Sequence, residues 1–337
     1  MTRTDRQTSR RGWLAIALLA ALPSTLAATL APPAKAAGDG ILVGLVTKTE
    51  VNPYFVALRR SAEAEARARG VRLIARAGKF DGDNEGQVAA IETLISAGAK
   101  GILITPNNST GPLGAIEKAR RAGIVVIALD TATDPADAVD ATYATDNFQA
   151  GVKQGQYARK ALGSKQPKLA MLDGTPGGTV DTFRHNGFLQ GFGIKEGDAA
   201  IVGKQITNGA QDKGQTGMEN LLSAHPDINV VYTINEPAAE GAYAALRAAG
   251  REHDVVLTSI DGGCLGVKYV KRGAIGATVM QFPAKMAKAG VDAVVDYAKN
   301  GTKPSGLHDT GSATITDHPF PGLETHDTAW GLSKCWG

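Results

Sequence analysis

The stretch 41–76, ILVGLVTKTEVNPYFVALRRSAEAEARARGVRLIAR, decides the fold. An apolar strand opens it, and Asn52-Pro53 then supplies an N-cap and a first-turn proline for a helix that Gly70 ends. Residues at helical spacing form the buried face of this helix: Phe55, Leu58, Ala62 and Ala66. A second strand follows at 71–76. The stretch therefore predicts a β-α-β unit with parallel strands and a right-handed crossover.

The turn between the first strand and the helix indicates what kind of ligand this edge of the sheet could bind. A phosphate site needs glycines at such a turn, so that backbone N–H groups can approach the anion. This turn carries polar and aromatic side chains instead: Thr47, Lys48, Asn52, Tyr54 and Phe55. Amides bond hydroxyl groups and aromatic faces cover the C–H surface of a sugar ring. The alternative interpretation is that Tyr54 and Phe55 are core residues of the first helical turn.

The alternation of apolar strands and amphipathic helices continues to about residue 281. Strands that are apolar throughout, separated by helices, predict parallel sheets covered on both faces, and the length suffices for two such lobes. A polar residue follows the apolar run of six strands: Thr105, Asp130, Asp173, Asn235, Asp261 and Gln281. Ligands of open α/β sheets bind beyond the carboxyl ends of strands. Each residue alone could equally be a helix cap or a turn residue.

The first 36 residues have the pattern of a secretory signal peptide. Basic residues precede the apolar run 13–22, and Ala34-Lys35-Ala36 is a small-x-small cleavage site. Ser9 to Leu14 also resembles a twin-arginine signal. From residue 37 onward, 31 basic residues stand against 32 acidic ones, a formal charge of −1, so nucleic acid is not an implied partner. We therefore expect a free periplasmic protein, cleaved near Ala36.

The chain has two cysteines, Cys264 and Cys335. In an exported protein two cysteines form a disulfide more often than they remain thiols. We predict that they are bonded and that the bond fastens the C-terminal tail.

Several motifs occur in the order found in periplasmic sugar-binding proteins. They are Asn52-Pro53-Tyr54-Phe55, Leu129-Asp130, Thr145-Asp146-Asn147, 221–227 (LLSAHPD), Asn235-Glu236 and Ile260-Asp261-Gly262. On these residues the chain resembles the ribose/galactose-binding type that serves ABC importers. Phe80 to Asn84, Asp261 to Cys264 and the ending Cys335-Trp336-Gly337 resemble the fructose-binding component of that family.

The resemblance implies a type I periplasmic binding protein: two doubly wound parallel-sheet lobes joined by a three-segment hinge near Thr145, Gln281 and Thr310. The implied lobes are 37–144 with 282–309, and 145–281 with 310–337. The implied ligand residues are Asn52, Tyr54, Phe55, Asp130, Arg184 on the first long helix of the second lobe, Asn235, Asp261 and Gln281. Ribose binders have arginine where this chain has Thr131 and an aromatic residue where it has Gly209.

The implied function is a monomeric, cofactor-free binding protein that captures a monosaccharide, with fructose as the first candidate, and delivers it to a membrane-embedded ABC permease. Another pentose, hexose or polyol is the alternative. A sugar-modifying enzyme would use Asp130 and Asp261 as a general acid/base pair. A sugar-responsive repressor would need a helix-turn-helix where the signal peptide stands. The calcium-like spacing of Asp81, Asp83 and Glu85 is interpreted as a turn and a helix cap, and we predict no metal.

Overall fold

The structure is a computed structural model that describes residues 40–337. The predicted signal peptide at 1–36 and its cleavage site lie outside the described residues.

Within residues 40–337, strands and helices alternate along the chain. The strands are β1 (Leu42–Thr47), β2 (Arg72–Ala77), β3 (Gly101–Ile104), β4 (Val125–Leu129), β5 (Ala141–Ala144), β6 (Leu169–Asp173), β7 (Ile201–Ile206), β8 (Val230–Thr233), β9 (Val256–Asp261), β10 (Ala277–Met280), β11 (Gly306–Asp309) and β12 (Ala313–Ile315). The helices are α1 (Pro53–Arg69), α2 (Asn84–Ser96), α3 (Leu113–Arg121), α4 (Asn147–Leu162), α5 (Thr179–Phe192), α6 (Gln211–Ala224), α7 (Glu236–Ala248), α8 (Cys264–Lys271), α9 (Pro283–Asn300) and α10 (Thr328–Lys334). None of these helices combines the length and apolar character needed to cross a bilayer.

The first sheet has the spatial order β2-β1-β3-β4-β5-β11, and all of its neighbouring strands are parallel. One face packs against α1 and α9, where Leu58 and Val291 belong to the same buried cluster. The other face packs against α2 and α3 through Ile91 and Ile116. Because helices cover both faces, the central strands are apolar on both sides.

The second sheet has the order β7-β6-β8-β9-β10-β12, parallel except for β12 against β10. Met218 of α6 and Leu246 of α7 cover one face, and Phe188 of α5 covers part of the other. The chain passes between the sheets three times: after β5, after β10, and between β11 and β12. The predicted fold class, two doubly wound lobes joined by three connections, is confirmed.

The expectation of strands that are apolar throughout is wrong at the sheet edges. β2 and β7 contain only exposed and partly buried residues, and every residue of β11 is exposed. An edge strand has one neighbour and less helix cover, so it carries polar residues that a central strand excludes. Helix α3 is short, because Pro112 is its N-cap and Ala122 its C-cap.

The C-terminal tail is fastened to the second lobe. Cys335 is bonded to Cys264, as the sequence predicts. The backbone N–H of Cys264 also donates a hydrogen bond of 2.9 Å to the carbonyl oxygen of Trp336. The tail therefore adds to the edge of the lobe at the start of α8.

Helices α4 and α5 approach each other along a seam of glycines. A Cβ atom at Gly151 would overlap the carbonyl oxygen of Arg184, and one at Gly155 would overlap that of Phe188. On the facing helix, a Cβ at Gly187 would overlap the carbonyl oxygen of Phe148. The obstacles are backbone atoms, which cannot rotate away.

The substitution Gly155→Ala should force the two helices apart and lower the free energy of unfolding by about 2 kcal/mol. Gly114→Ala is the matched control, because a Cβ there meets no atom within 4 Å. The free energy of unfolding of the control should lie within about 0.5 kcal/mol of the wild-type value or above it, since alanine favours helix. Chemical denaturation measures both. Equal stabilities of the two variants would contradict a seam that requires glycine.

Candidate functional site

A cleft of about 450 Å³, including its open mouth, lies between the two sheets at the carboxyl ends of their strands. All of the residues that the resemblance implies as ligand contacts line it: Asn52, Tyr54, Phe55, Asp130, Arg184, Asn235, Asp261 and Gln281. Lobes that are far apart in sequence thus contribute to one cavity.

The first turn of α1 contributes Asn52, Tyr54 and Phe55. The side chain of Asn52 caps the helix by accepting from the N–H of Tyr54 at 3.0 Å. Tyr54 and Phe55 are 3% and 5% exposed and belong to the core of the first lobe, yet both line the cleft. These rings are therefore core residues of the first lobe that also line the cavity.

Asp130 follows β4 and is 5% exposed. Its φ of 64° lies in the left-handed region, which aspartate tolerates better than most residues. Thr131, at the position where ribose binders have arginine, donates a hydrogen bond of 3.0 Å to the Asp130 carboxylate. The hydroxyl of Thr131 thus fixes a carboxylate that the fold turns toward the cleft.

Arg184 is 3% exposed and lies on α5. This helix is the second of its lobe and not the first, because α4 already packs on the second sheet beside Ile260 and Val279. The Nε–H donates to Asn147 at 2.8 Å, and Nη1 donates to the carbonyl oxygen of Ile234 at 2.9 Å. A guanidinium has five N–H donors, so these bonds leave donors for a ligand.

Asp261 and Gln281 lie at the ends of β9 and β10. Gln281 donates from Nε2 to Asp261 at 2.9 Å, and the backbone N–H of Glu236 donates to the other carboxylate oxygen at 3.3 Å. Arg184 lies 3.9 Å from Asp261. The Oε1 atom of Gln281 is buried and has no hydrogen-bond partner among residues 40–337, so it is an acceptor suited to a ligand hydroxyl.

Asn235 lines the cleft, but its hydrogen-bonding groups have local partners. Its carbonyl oxygen accepts from the N–H of Ala238 at 3.1 Å and so caps α7. Its amide donates to the carbonyl oxygen of Gly209 at 3.1 Å. Asn235 therefore caps α7 and also lines the cleft. Gly209 has a φ of 66° and also lines the cavity.

Burial makes the carboxyl groups of Asp261 and Glu236 hard to ionise. It raises the pKa of Asp261 to about 7, against the opposing effect of the Arg184 charge. Burial and the neighbouring Asp261 raise the pKa of Glu236 well above its usual value. The side chain of Glu236 nevertheless accepts three hydrogen bonds. Two come from the backbone N–H groups of Gly262 and Gly263, at 2.9 and 3.0 Å, and one comes from the hydroxyl of Thr278, at 2.7 Å. Glu236 thereby fixes the turn that follows Asp261.

The structure adds residues that the sequence analysis did not place in the site. Asp83 caps α2, as predicted, but Asp81 does more than form a turn. It accepts a hydrogen bond of 2.8 Å from Thr175 of the other lobe and lies 3.9 Å from Lys48. Burial raises the pKa of Asp81 and, more strongly, that of Asp181 to about 6. Lys48, which the sequence analysis includes in the turn after the first strand, also lines the cleft.

Asn147 is a second addition. Its amide donates to the carbonyl oxygens of Asp130 at 3.3 Å and Thr145 at 3.1 Å, while its own oxygen accepts from Arg184. A single side chain at the crossing after β5 therefore connects ligand-facing residues of the two lobes. Asn147 belongs to the motif Thr145-Asp146-Asn147 of the sequence analysis, but only the fold shows its partners.

The cleft combines few cations with several carboxyl groups. Its cations are Lys48 and Arg184, and its carboxyl groups are Asp81, Asp130, Asp181 and Asp261. The excess of acidic groups would repel an anionic ligand but not a neutral one. Among residues 40–337, no cluster of three or more His, Cys, Asp or Glu side chains is arranged to hold a metal ion.

Comparison with known proteins gives consistent results. The family model of the periplasmic binding protein domain matches residues 43–303. The ribose import binding protein of Bacillus subtilis is 32% identical over 276 residues, which cover 80% of this chain and 88% of that protein. The D-allose-binding periplasmic protein of Escherichia coli is 29% identical over 263 residues, covering 76% and 84%.

A solved structure is also similar along most of its length. It is an ABC transporter periplasmic solute binding protein from Actinobacillus succinogenes with bound D-allose, with 28% identity and a TM-score of 0.74. The alignment covers 82% of this chain and 97% of that one.

The raised pKa of Asp261 has a consequence for stability that depends on pH. Between about pH 4, its usual value in an unfolded chain, and about 7, the folded protein holds a proton that the unfolded chain has released. The contribution of Asp261 to stability is therefore fully present below pH 4 and is lost as the pH rises through 7.

The substitution Asp261→Asn removes this titration. Without a ligand, the stability of Asp261→Asn relative to the wild type should increase as the pH rises from about 4 to about 7. Thermal unfolding of both proteins across this range measures the difference, in which the titration of groups distant from Asp261 cancels. A difference that is constant with pH would contradict the raised pKa.

Proposed function

The chain belongs to the periplasmic binding protein family, and we propose that it is the sugar-binding component of an ABC importer, which holds a neutral monosaccharide in this cleft and delivers it to a membrane-embedded permease. The observation that carries the proposal is the convergence of buried polar side chains from two lobes on one cavity. A ligand that bonds both sets at once favours the conformation in which the lobes are close.

The chemistry of the cleft supports a hydroxyl-rich ligand. Asp130 and Asp261 can accept hydrogen bonds from hydroxyl groups, and Arg184 can donate them. The side-chain oxygen of Gln281 is buried and has no partner among the described residues. Tyr54 and Phe55 add ring surface for the C–H face of a sugar. The acidic excess argues against a sugar phosphate or a sugar acid.

Within this class, fructose is the first candidate, on the resemblance at Phe80 to Asn84, at Asp261 to Cys264 and at the C-terminus. The relatives carry the names of ribose-, allose- and apiose-binding proteins, so these sugars are the closest competitors. Thr131 and Gly209, where ribose binders have arginine and an aromatic residue, support a ligand other than ribose.

The proposal extends to the setting in which the protein works. The lobes are 37–144 with 282–309 and 145–281 with 310–337. The protein is exported, cleaved near Ala36, and acts as a monomer in the periplasm. It binds the sugar without converting it, so the sugar is recovered unchanged after incubation. Turnover of the sugar would instead support an enzyme in which Asp130 and Asp261 act as acid and base.

A thermal-shift screen tests the proposal, with D-fructose, D-ribose, D-allose, D-apiose and myo-inositol as ligands. A ligand at about a thousandfold excess over its Kd stabilises the folded protein by about 4 kcal/mol. We expect a large shift with at least one monosaccharide. No shift with any of them would contradict the proposed function.

The substitutions Asp130→Ala and Asp261→Ala remove one carboxylate from each lobe. Each should weaken binding of the sugar found in the screen about 100-fold or more, because hydrogen bonds to charged groups are lost in a buried site. Asp137→Ala is the control, since Asp137 is an exposed carboxylate of the first lobe. Calorimetric titration measures all three, and wild-type affinity in either cleft variant would refute the assigned site.

A further inference from the structure

The last three residues run along the back of the cleft. Cys335 is bonded to Cys264 at the start of α8, and Trp336 pairs with Gly263 in a parallel bridge. The N–H of Cys264 donates to the carbonyl oxygen of Trp336 at 2.9 Å. The backbone of the tail is thereby fixed to the second lobe, directly after the turn that carries Asp261.

The indole of Trp336 contacts both lobes. Its Nε1–H donates a hydrogen bond of 3.1 Å to the carbonyl oxygen of Gln281. Its ring meets the ring of Tyr54 edge to face, with centroids 5.4 Å apart and planes at 78°. Trp336 also packs against the core of the first lobe, although its backbone belongs to the second.

Both neighbours of this indole are residues of the cleft. Tyr54 and Gln281 line the cavity, whereas Trp336 does not. Gln281 also lies at one of the crossings between the sheets, and its side chain donates to Asp261. A displacement of the indole would remove one ring contact of Tyr54 and the hydrogen bond to the carbonyl oxygen of Gln281.

We propose that Trp336 is a positioning residue for the sugar site, held in place by the Cys264–Cys335 bond. It does not touch the ligand but fixes the orientation of Tyr54 and Gln281, one from each side of the cleft. This inference rests on the proposed function, because it concerns the affinity of the same cleft. The disulfide restricts the conformations open to this segment.

The alternative is that the tail only stabilises the lobe. Trp330 of α10 provides the matched control, because it is also half-buried, stacks on His326 at a centroid distance of 3.9 Å, and does not line the cleft. Removing either indole removes packing from the tail, but only Trp336 contacts residues of the site.

The experiment compares Trp336→Ala, Trp336→Phe, Trp330→Ala and the double variant Cys264→Ser/Cys335→Ser by calorimetric titration with the monosaccharide that gives the largest thermal shift. We expect Trp336→Ala and the double variant to bind about tenfold more weakly, since an aromatic contact and a hydrogen bond that orient the site are lost. Trp336→Phe keeps the ring contact and should lose less. Trp330→Ala should bind as the wild type does, even where its melting temperature falls.

A second measurement follows the indole itself. Of the three tryptophans in the chain, Trp13 precedes the proposed cleavage site near Ala36, so W330F leaves Trp336 as the one tryptophan of the cleaved protein. Sugar binding should shift its emission, although Trp336 lies outside the cavity. Adding the two cysteine-to-serine substitutions should move the emission of the ligand-free protein to longer wavelength, as the indole becomes more exposed.

The outcomes separate the two proposals. Wild-type affinity in Trp336→Ala and in the double cysteine variant would overturn the positioning role and leave the proposed function standing. Equal loss of affinity in Trp330→Ala and Trp336→Ala would also overturn it, because the tail would then act only through stability. A wild-type protein that binds none of the monosaccharides would refute the proposed function itself.

Discussion

The burial of Asp261 between two lobes is the constraint on which the site depends. A carboxylate taken out of water needs partners, and this one receives an amide from Gln281, a backbone N–H from Glu236 and the nearby charge of Arg184. These partners do not keep its pKa low, since burial raises it to about 7. A ligand hydroxyl would supply a further donor. The site is thus less than optimal for stability without a ligand, as sites selected for binding commonly are.

The fold brings these groups together through packing that lies behind them. Glycines at Gly151 and Gly155 let α4 and α5 approach closely, and this places Arg184 beside Asn147. Asn147 in turn contacts the carbonyl oxygen of Asp130 in the other lobe. On the opposite side, the disulfide-fastened tail brings Trp336 against Tyr54 and Gln281. Residues outside the cavity therefore control how its walls are oriented.

The sequence predicts the main features of this arrangement because strand periodicity and strand-end chemistry are local signals. Asp130, Asp261 and Gln281 each follow an apolar strand, and all three line the cleft. Local signals cannot distinguish a capping side chain from a cleft-lining one, and Asn235 is both. They also miss Asp81, whose partner Thr175 is 94 residues away in the chain. Edge strands such as β11 carry little apolar signal, so tertiary pairing alone defines them.

The central claim is that one sugar bonds both lobes and holds them together. Small-angle X-ray scattering of the purified protein, with and without a saturating concentration of the sugar identified in the screen, tests it most directly. We expect the radius of gyration to fall when the sugar is added, and not to change for Asp261→Ala under the same conditions. Binding of the sugar by the wild-type protein with no change in the radius of gyration would show that the sugar does not draw the lobes together.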